Sequence, residues 1–360
     1  MGSSRSPQQI PVVVLAGFLG SGKTTLLNHL LHRSGGSRIG AIVNDFGDIE
    51  IDAMAVAGAL GDSTVSLGNG CLCCAVDASE LDSYLERLAA PAVGIDVIVI
   101  EASGLAEPQE LVRMVLASEL PGIVYGGLVE VVDAAEFDAT RTRHPEIDRH
   151  LALADLVVVN KLDRAEDADR VLAQVRALTD GAPVVAATYG RIDPEFLFDC
   201  RPGEERIGQL SFDDLHQEGD RQQGGEDGHD SHFHTGYDSL SFTSAVPMDP
   251  RALMRFLDSR PDGLYRIKGY VDFGPHDTGN RYAVHAVGRF LRFHPEPWPP
   301  RDGDRLTQLV LIGSGIDTGA LGKELDACRT EDADGVAEPD EHAMWGVLRY
   351  VPGSEDEPGT

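Results

Sequence analysis

A chain of 360 residues with 42% hydrophobic and 25% charged side chains carries enough apolar material for a buried core and enough length for two domains. Its 59 acidic residues against 30 basic ones give a formal net charge of -29, which repels phosphate backbones and anionic lipid surfaces and makes nucleic acid and membrane poor partners. No apolar run is long enough for a bilayer, the polar start MGSSRSPQQI lacks a signal-peptide core, and the five cysteines are odd in number and clustered, so the expected location is the cytoplasm.

Residues 10–199 alternate short Val/Ile/Leu runs with amphipathic stretches: PVVVLAG then KTTLLNHLLH, IGAIVND, ASELDSYLERLAA then IDVIVIE, VYGGLVEVVDA, ADLVVVNK, DADRVLAQVRAL then APVVAAT. Apolar runs without polar alternation suit strands buried on both faces, and the amphipathic segments supply crossover helices. The predicted fold is α/β, a doubly wound, mostly parallel sheet.

The first run ends in GFLGSGKT, Gly17 to Thr24, which fits G-x-x-x-x-G-K-[ST] between a strand and a helix. Backbone N–H groups around Gly17, Gly20, Ser21 and Gly22, with the helix N-terminus, can surround phosphate oxygens. Lys23 is expected to neutralise the β/γ charge, Thr24 to ligate Mg²⁺ through its hydroxyl, and Thr25 to meet the α-phosphate. Further on, GCLCC places Cys71, Cys73 and Cys74 within four positions, behind the turn-forming Gly68-Asn69-Gly70. Three thiolates that converge there are soft ligands suited to Zn²⁺, with a fourth tetrahedral position left for another donor. Redox chemistry at the adjacent pair and plain buried cysteines are the alternatives, although burial explains one cysteine better than three within four positions.

IDVIVIEASGLAEP follows, with Glu101 at the end of an apolar strand and Gly104 just beyond. A strand-end acid there is placed to hold Mg²⁺ or orient an attacking water, and Gly104 lets the backbone approach the γ-phosphate. ADLVVVNKLD then selects the base. Asp163 can accept from both the ring N–H and the exocyclic amine of guanine, Asn160 braces the loop, and the aliphatic stem of Lys161 can lie over the base plane; adenine offers no such donor pair, so GTP is expected. Residues 200–238 are polar and rich in Gly, Asp and Gln, a linker that includes His229, His232 and His234. A smaller α+β domain is predicted over 239–329, from DPRALMRFLDS, LYRIKGYVDF, RYAVHAVGRFLRFH, TQLVLIG and DTGALGKELDAC, followed by a mobile acidic tail over 330–360 in which the isolated MWGVLRYV is expected to dock locally. Cys200 and Cys328 are single and dispersed, which reads as structural.

Together GFLGSGKTTLLNHLL, NDFGDIEID, GCLCC, EASGLAEP and NKLD, with LSF, LYRIKGYVDF and DRLTQLVLIG in the second domain, resemble the CobW-like metallochaperone GTPases, relatives of the nickel-insertion GTPases for urease and hydrogenase. The resemblance implies GTP binding, slow hydrolysis to GDP and phosphate, a transition metal at the cysteines and its delivery to a client metalloprotein. Zn²⁺ is favoured by the thiolates, with Co²⁺ for a cobalamin or nitrile hydratase pathway as the alternative cargo. Many members read N-E-F-G-E where this chain has Asn44-Asp45-Phe46-Gly47-Asp48, and Asp48 is the expected fourth ligand. The segment NDFGDIEID stands where a GTPase keeps its first switch, so nucleotide state is expected to gate the metal. A P-loop kinase or ATP-driven enzyme, and a metal buffer or sensor that makes no delivery, are the competing classes. Histidine-bearing insertions in this family gather metal, the role implied for His229, His232 and His234. Nothing in the sequence selects an oligomeric state.

Overall fold

Short β-branched runs become the strands of the first domain: β1 (Ile10–Ala16), β2 (Ile39–Val43), β3 (Val97–Glu101), β4 (Ile123–Asp133), β5 (Leu156–Asn160) and β6 (Val184–Ala186). They lie in the order β2-β3-β1-β4-β5-β6, and every pairing is parallel. The computed structural model describes residues 9–34, 36–43, 78–104, 106–199, 237–299, 305–330 and 342–352. Asp48, Cys71, Cys73, Cys74, Cys200 and the three linker histidines lie outside the described residues.

Both faces of the sheet are covered, which is why its strands carry no polar alternation. On one face α1 (Lys23–His32) sets Leu26, Leu27 and Leu30 against Val13, Leu15, Val129 and Val131. On the other, α2 (Ala78–Ala89) and α3 (Pro108–Ala117) bring Leu81, Leu85, Leu111 and Val115 to Val12, Val14, Ile98 and Ile100. Further along that face, after α4 (Phe137–Arg143), α5 (Ile147–Leu153) and α6 (Ala168–Leu178) cover Val157 and Val159. Each fully buried Leu, Ile or Val contributes roughly 1.5–3 kcal/mol.

The second domain is a separate antiparallel sheet of β7 (Asp238–Ser244), β8 (Leu264–Val271), β9 (Asn280–Val287), β10 (Phe290–Pro297) and β11 (Thr307–Gly313), in the order β10-β9-β8-β11-β7. RYAVHAVGRFLRFH divides into the β9–β10 hairpin at Gly288. Two helices, α7 (Pro250–Asp258) and α8 (Thr318–Asp326), start at side-chain caps, with Asp249 accepting from Ala252 N at 2.7 Å and Asp317 from Ala320 N at 2.9 Å. Their Leu253, Leu257, Leu321 and Leu325 share a core with Ile267, Val284, Phe293 and Leu309. Cys328 is buried in the same core, where burial pushes its thiol up to about 11. Within the predicted tail, residues 342–352 pack on this domain: α9 (Trp345–Leu348) buries Val347, and Phe293 N donates to Tyr350 O at 2.9 Å.

The second sheet meets the first at the N-terminal ends of the parallel strands. Tyr265 Oη donates to Gly126 O near the start of β4, Gly263 N donates to Gly181 O just before β6, and a His285 ring nitrogen hydrogen-bonds Tyr125 O. Asp199 pairs with Arg266 and Lys268, whose charges hold its carboxyl below the usual range against the opposing pull of burial. Among the described residues no helix is long and apolar enough to cross a membrane.

Candidate functional site

The opposite edge, where the parallel strands end, collects the predicted nucleotide residues. After β1 the chain enters a glycine loop that only a residue without Cβ can open, because a Cβ on Gly17 (φ +142°) would stand 2.3 Å from Val131 O. Gly22 is the N-cap of α1 and no side chain of the described residues caps that helix, so its first-turn amides point into the loop. Lys23 is buried, and its ammonium reaches back across the loop to donate to Gly17 O at 2.8 Å and Phe18 O at 3.2 Å. Thr24 Oγ1 donates to Glu101 Oε1 at 2.7 Å, which joins the first turn of α1 to the end of β3. Gly104, just past β3, packs on the same loop; a Cβ there would meet Leu19 N at 2.6 Å.

Asn160, at the end of β5, is buried and bonded on both sides. Its Nδ2 donates to Ser21 O at 3.0 Å, and its Oδ1 accepts from Gly190 N at 2.9 Å. Lys161 takes a left-handed backbone (φ +58°), and its ammonium donates to Gly20 O at 2.5 Å and Asp133 Oδ2 at 2.7 Å. That conformation turns the chain into the short 3₁₀ segment Leu162–Arg164, on which Asp163 is exposed. The structure therefore brings together Gly17, Gly20, Ser21, Gly22, Lys23, Thr24, Thr25, Glu101, Gly104, Asn160, Lys161 and Asp163 from three separate segments. The Thr24 hydroxyl and the Glu101 carboxylate are hard oxygen donors, a set whose chemistry fits Mg²⁺. Among the described residues there is no group of three or more His, Cys, Asp or Glu able to hold a metal ion.

Two acids on β4 were not singled out by motif. Asp133 anchors Lys161. Glu130 lies opposite Ala16 of β1, is fully buried, and neither carboxylate oxygen has a hydrogen-bond partner among the described residues. Burial pushes it up to about 8, although the Lys23 ammonium pulls the other way. The signal for both is an acid inside an otherwise apolar strand, VEVVD. A third feature escapes pattern reading: Phe18 of the loop stacks on His150 and lies against His144, while Glu107, beyond β3, pairs with Arg149 and His150 of α5. Helix α5 thus touches both the glycine loop and the segment after Glu101. Burial lowers the His150 pKa, and Glu107 opposes the shift.

Residues 11–186 match the family described as "CobW/HypB/UreG, nucleotide-binding domain", and residues 237–329 match "Cobalamin synthesis protein cobW C-terminal domain". A protein named zinc chaperone CobW from Sinorhizobium sp is 30% identical over 87% of this chain and 95% of its own length. Another of that name from Pseudomonas aeruginosa is 32% identical over 88% of this chain and 91% of its own. The solved structure of the Zn(II)-bound YjiA GTPase from E. coli aligns with 89% of this chain and 99% of its own at 23% identity, with a TM-score of 0.42.

Proposed function

Because the chain belongs to the CobW/HypB/UreG family of nucleotide-binding proteins, we propose that it is a GTPase that carries a transition metal to a client metalloprotein. The observation that carries the nucleotide half is the Asn160 carboxamide, which ties Ser21 of the phosphate loop to the two turns at the ends of β5 and β6. A phosphate cradle and a base-reading turn are thereby held at a fixed separation, as one bound nucleotide requires. Asp163 accepts from the guanine ring N–H and its amine. Lys23 leaves Gly17 O and Phe18 O for the β/γ-phosphates, a short swing because its ammonium already lies within the loop. Thr24 and Glu101 would hold Mg²⁺, which when bound neutralises charge on the β- and γ-phosphates. Glu101 also orients the water that attacks the γ-phosphorus, giving GDP and phosphate.

The cargo half rests on Cys71, Cys73 and Cys74, with Asp48 as the fourth donor, and on relatives named zinc chaperones that align over nearly their whole length. Zn²⁺ is the favoured cargo for a three-thiolate site. In this reading GTP and GDP states differ in their hold on the metal, since a nucleotide that does not discriminate the two states shifts neither.

Two measurements test the two halves. Asp163→Asn should weaken GTP binding about a hundredfold, because it exchanges a charged acceptor for an amide, and should raise affinity for xanthine nucleotides, whose C2 oxygen suits the new donor. ATP competing as well as GTP against wild-type protein overturns the base assignment. Titration of reduced protein with Zn²⁺ against a chelator, with a GTP analogue, GDP or no nucleotide, tests the cargo. A tight site abolished in the Cys71→Ala/Cys73→Ala/Cys74→Ala variant and altered by nucleotide supports a gated carrier. A tight site indifferent to nucleotide makes the protein a buffer or sensor.

A further inference from the structure

The turn at the end of β6 is fixed to the nucleotide site twice. Gly190 N donates to Asn160 Oδ1, and Gly190 itself lies against the first turn of α1, where a Cβ would stand 2.7 Å from Leu26 N and 3.1 Å from Thr25 C. Three residues separate the end of β6 from this anchor, and the last of them is Tyr189. Among the described residues, Lys161 and Tyr189 are the two non-glycine residues with positive φ, at 58° and 54°. Such a backbone state costs of order 1 kcal/mol or more and persists where surrounding structure imposes it. Lys161 follows Asn160 directly at the end of β5, and Tyr189 precedes Gly190, the partner of the Asn160 carboxamide, three residues beyond β6. Tyr189 is also 59% exposed, and the Arg191 guanidinium lies over its ring, 6.0 Å from the centroid. An exposed aromatic residue therefore stands on a strained backbone, one position before the glycine that lies against Thr25 of the cradle, in a segment whose Ala187 O accepts from Leu162 N of the turn that carries Asp163.

We infer that the Tyr189 ring is a stacking wall of the nucleotide site, lying against the purine of the bound nucleotide. The inference rests on the reading that this site holds a guanine nucleotide, and it adds a division of labour. Asp163 reads the base edge and supplies discrimination; Tyr189 contacts the base plane and supplies affinity. Every purine presents a similar π-face, so the stacking contribution is the same for guanine and for hypoxanthine, which lacks the exocyclic amine. It is also independent of the phosphates, which Lys23 and the loop hold.

The test is calorimetric binding of GDP, IDP and inorganic pyrophosphate to wild-type protein, Tyr189→Ala and Tyr189→Phe, alongside steady-state GTP hydrolysis. Loss of one base–aromatic stack weakens binding about tenfold. Tyr189→Ala should therefore lose about that factor for GDP and IDP alike, bind pyrophosphate as the wild type does, and raise KM for GTP with kcat retained. Tyr189→Phe should behave as wild type. Tyr189→Ala binding GDP within twofold of wild type overturns the inference. So does a parallel loss of pyrophosphate binding, which would make the turn a scaffold for the phosphate loop. Wild-type protein that binds no GDP overturns the nucleotide reading itself, a result separable from either.

Discussion

Replacing Glu130 by Gln should remove a loss of stability that the wild-type protein suffers as pH rises from 5 to 8. Glu130 is fully buried on β4 with both carboxylate oxygens unpartnered among the described residues, and burial moves its carboxyl from an ordinary 4.5 to about 8 against the pull of Lys23. Between those two values the folded chain keeps a proton that the unfolded chain has released. The unfolded state then binds fewer protons, so stability falls with rising pH. At about 1.4 kcal/mol for each tenfold change in proton affinity, the whole effect is roughly 5 kcal/mol above pH 8. Roughly 2–3 kcal/mol of it develops between pH 5 and 7. The amide of Gln does not titrate, so Glu130→Gln lacks this slope. The assay is urea unfolding of both proteins followed by far-UV ellipticity across pH 5–9, read as the difference between the two curves. Groups common to both cancel in that difference, including Asp155, which burial also raises, and His285, lowered to about 4. A carboxylic C=O stretch present in wild type at pH 7 and absent from the variant would identify the proton directly. Parallel stability curves between pH 5 and 8 would refute the reasoning, since they would mean that Glu130 is ionised in the folded protein.

Two further expectations concern the junction between the domains. Tyr265 is fully buried and donates to Gly126 O, so Tyr265→Phe should cost about 1 kcal/mol by leaving that carbonyl without its donor, and Tyr265→Ala about 3–5 kcal/mol with the lost ring. Both variants should keep the proposed GTP hydrolysis at the wild-type rate at temperatures where they remain folded, because this contact lies on the edge of the sheet opposite the glycine loop. His285 is held to about 4 mainly by burial, with Arg266 adding to the shift. Its stabilising effect is complete above pH 6.5 and is lost as pH falls through 4, about 3 kcal/mol in all. His285→Gln keeps a donor for Tyr125 O, so it should flatten the acid limb of the stability curve without lowering stability at pH 7 by more than about 1 kcal/mol.

Much of the molecule is written locally. The Val and Ile runs of β1, β3 and β5 announce strands buried on both faces, and GFLGSGKT and NKLD announce their turns, because each depends on residues within a few positions of one another. The same locality makes Asp249 and Asp317 readable as helix starts. GCLCC is also legible as a metal motif, and its residues lie outside those the structure describes. MWGVLRYV stands out in the acidic 330–360 as a segment able to dock, but the face that receives it exists only once α7 and β10 are in place. The tertiary structure alone decided what required distant segments to meet. It drew Ser21, Asn160 and Gly190 into one hydrogen-bonded bridge. It enclosed Glu130, changing the charge state of a residue whose type reveals nothing of its surroundings. It also set Tyr189 on a strained turn at the rim of the site and seated the second domain at the far edge of the sheet. Local sequence fixes backbone preference and chemical inventory; burial and partnership are properties of the assembled chain, because desolvation depends on every neighbour at once.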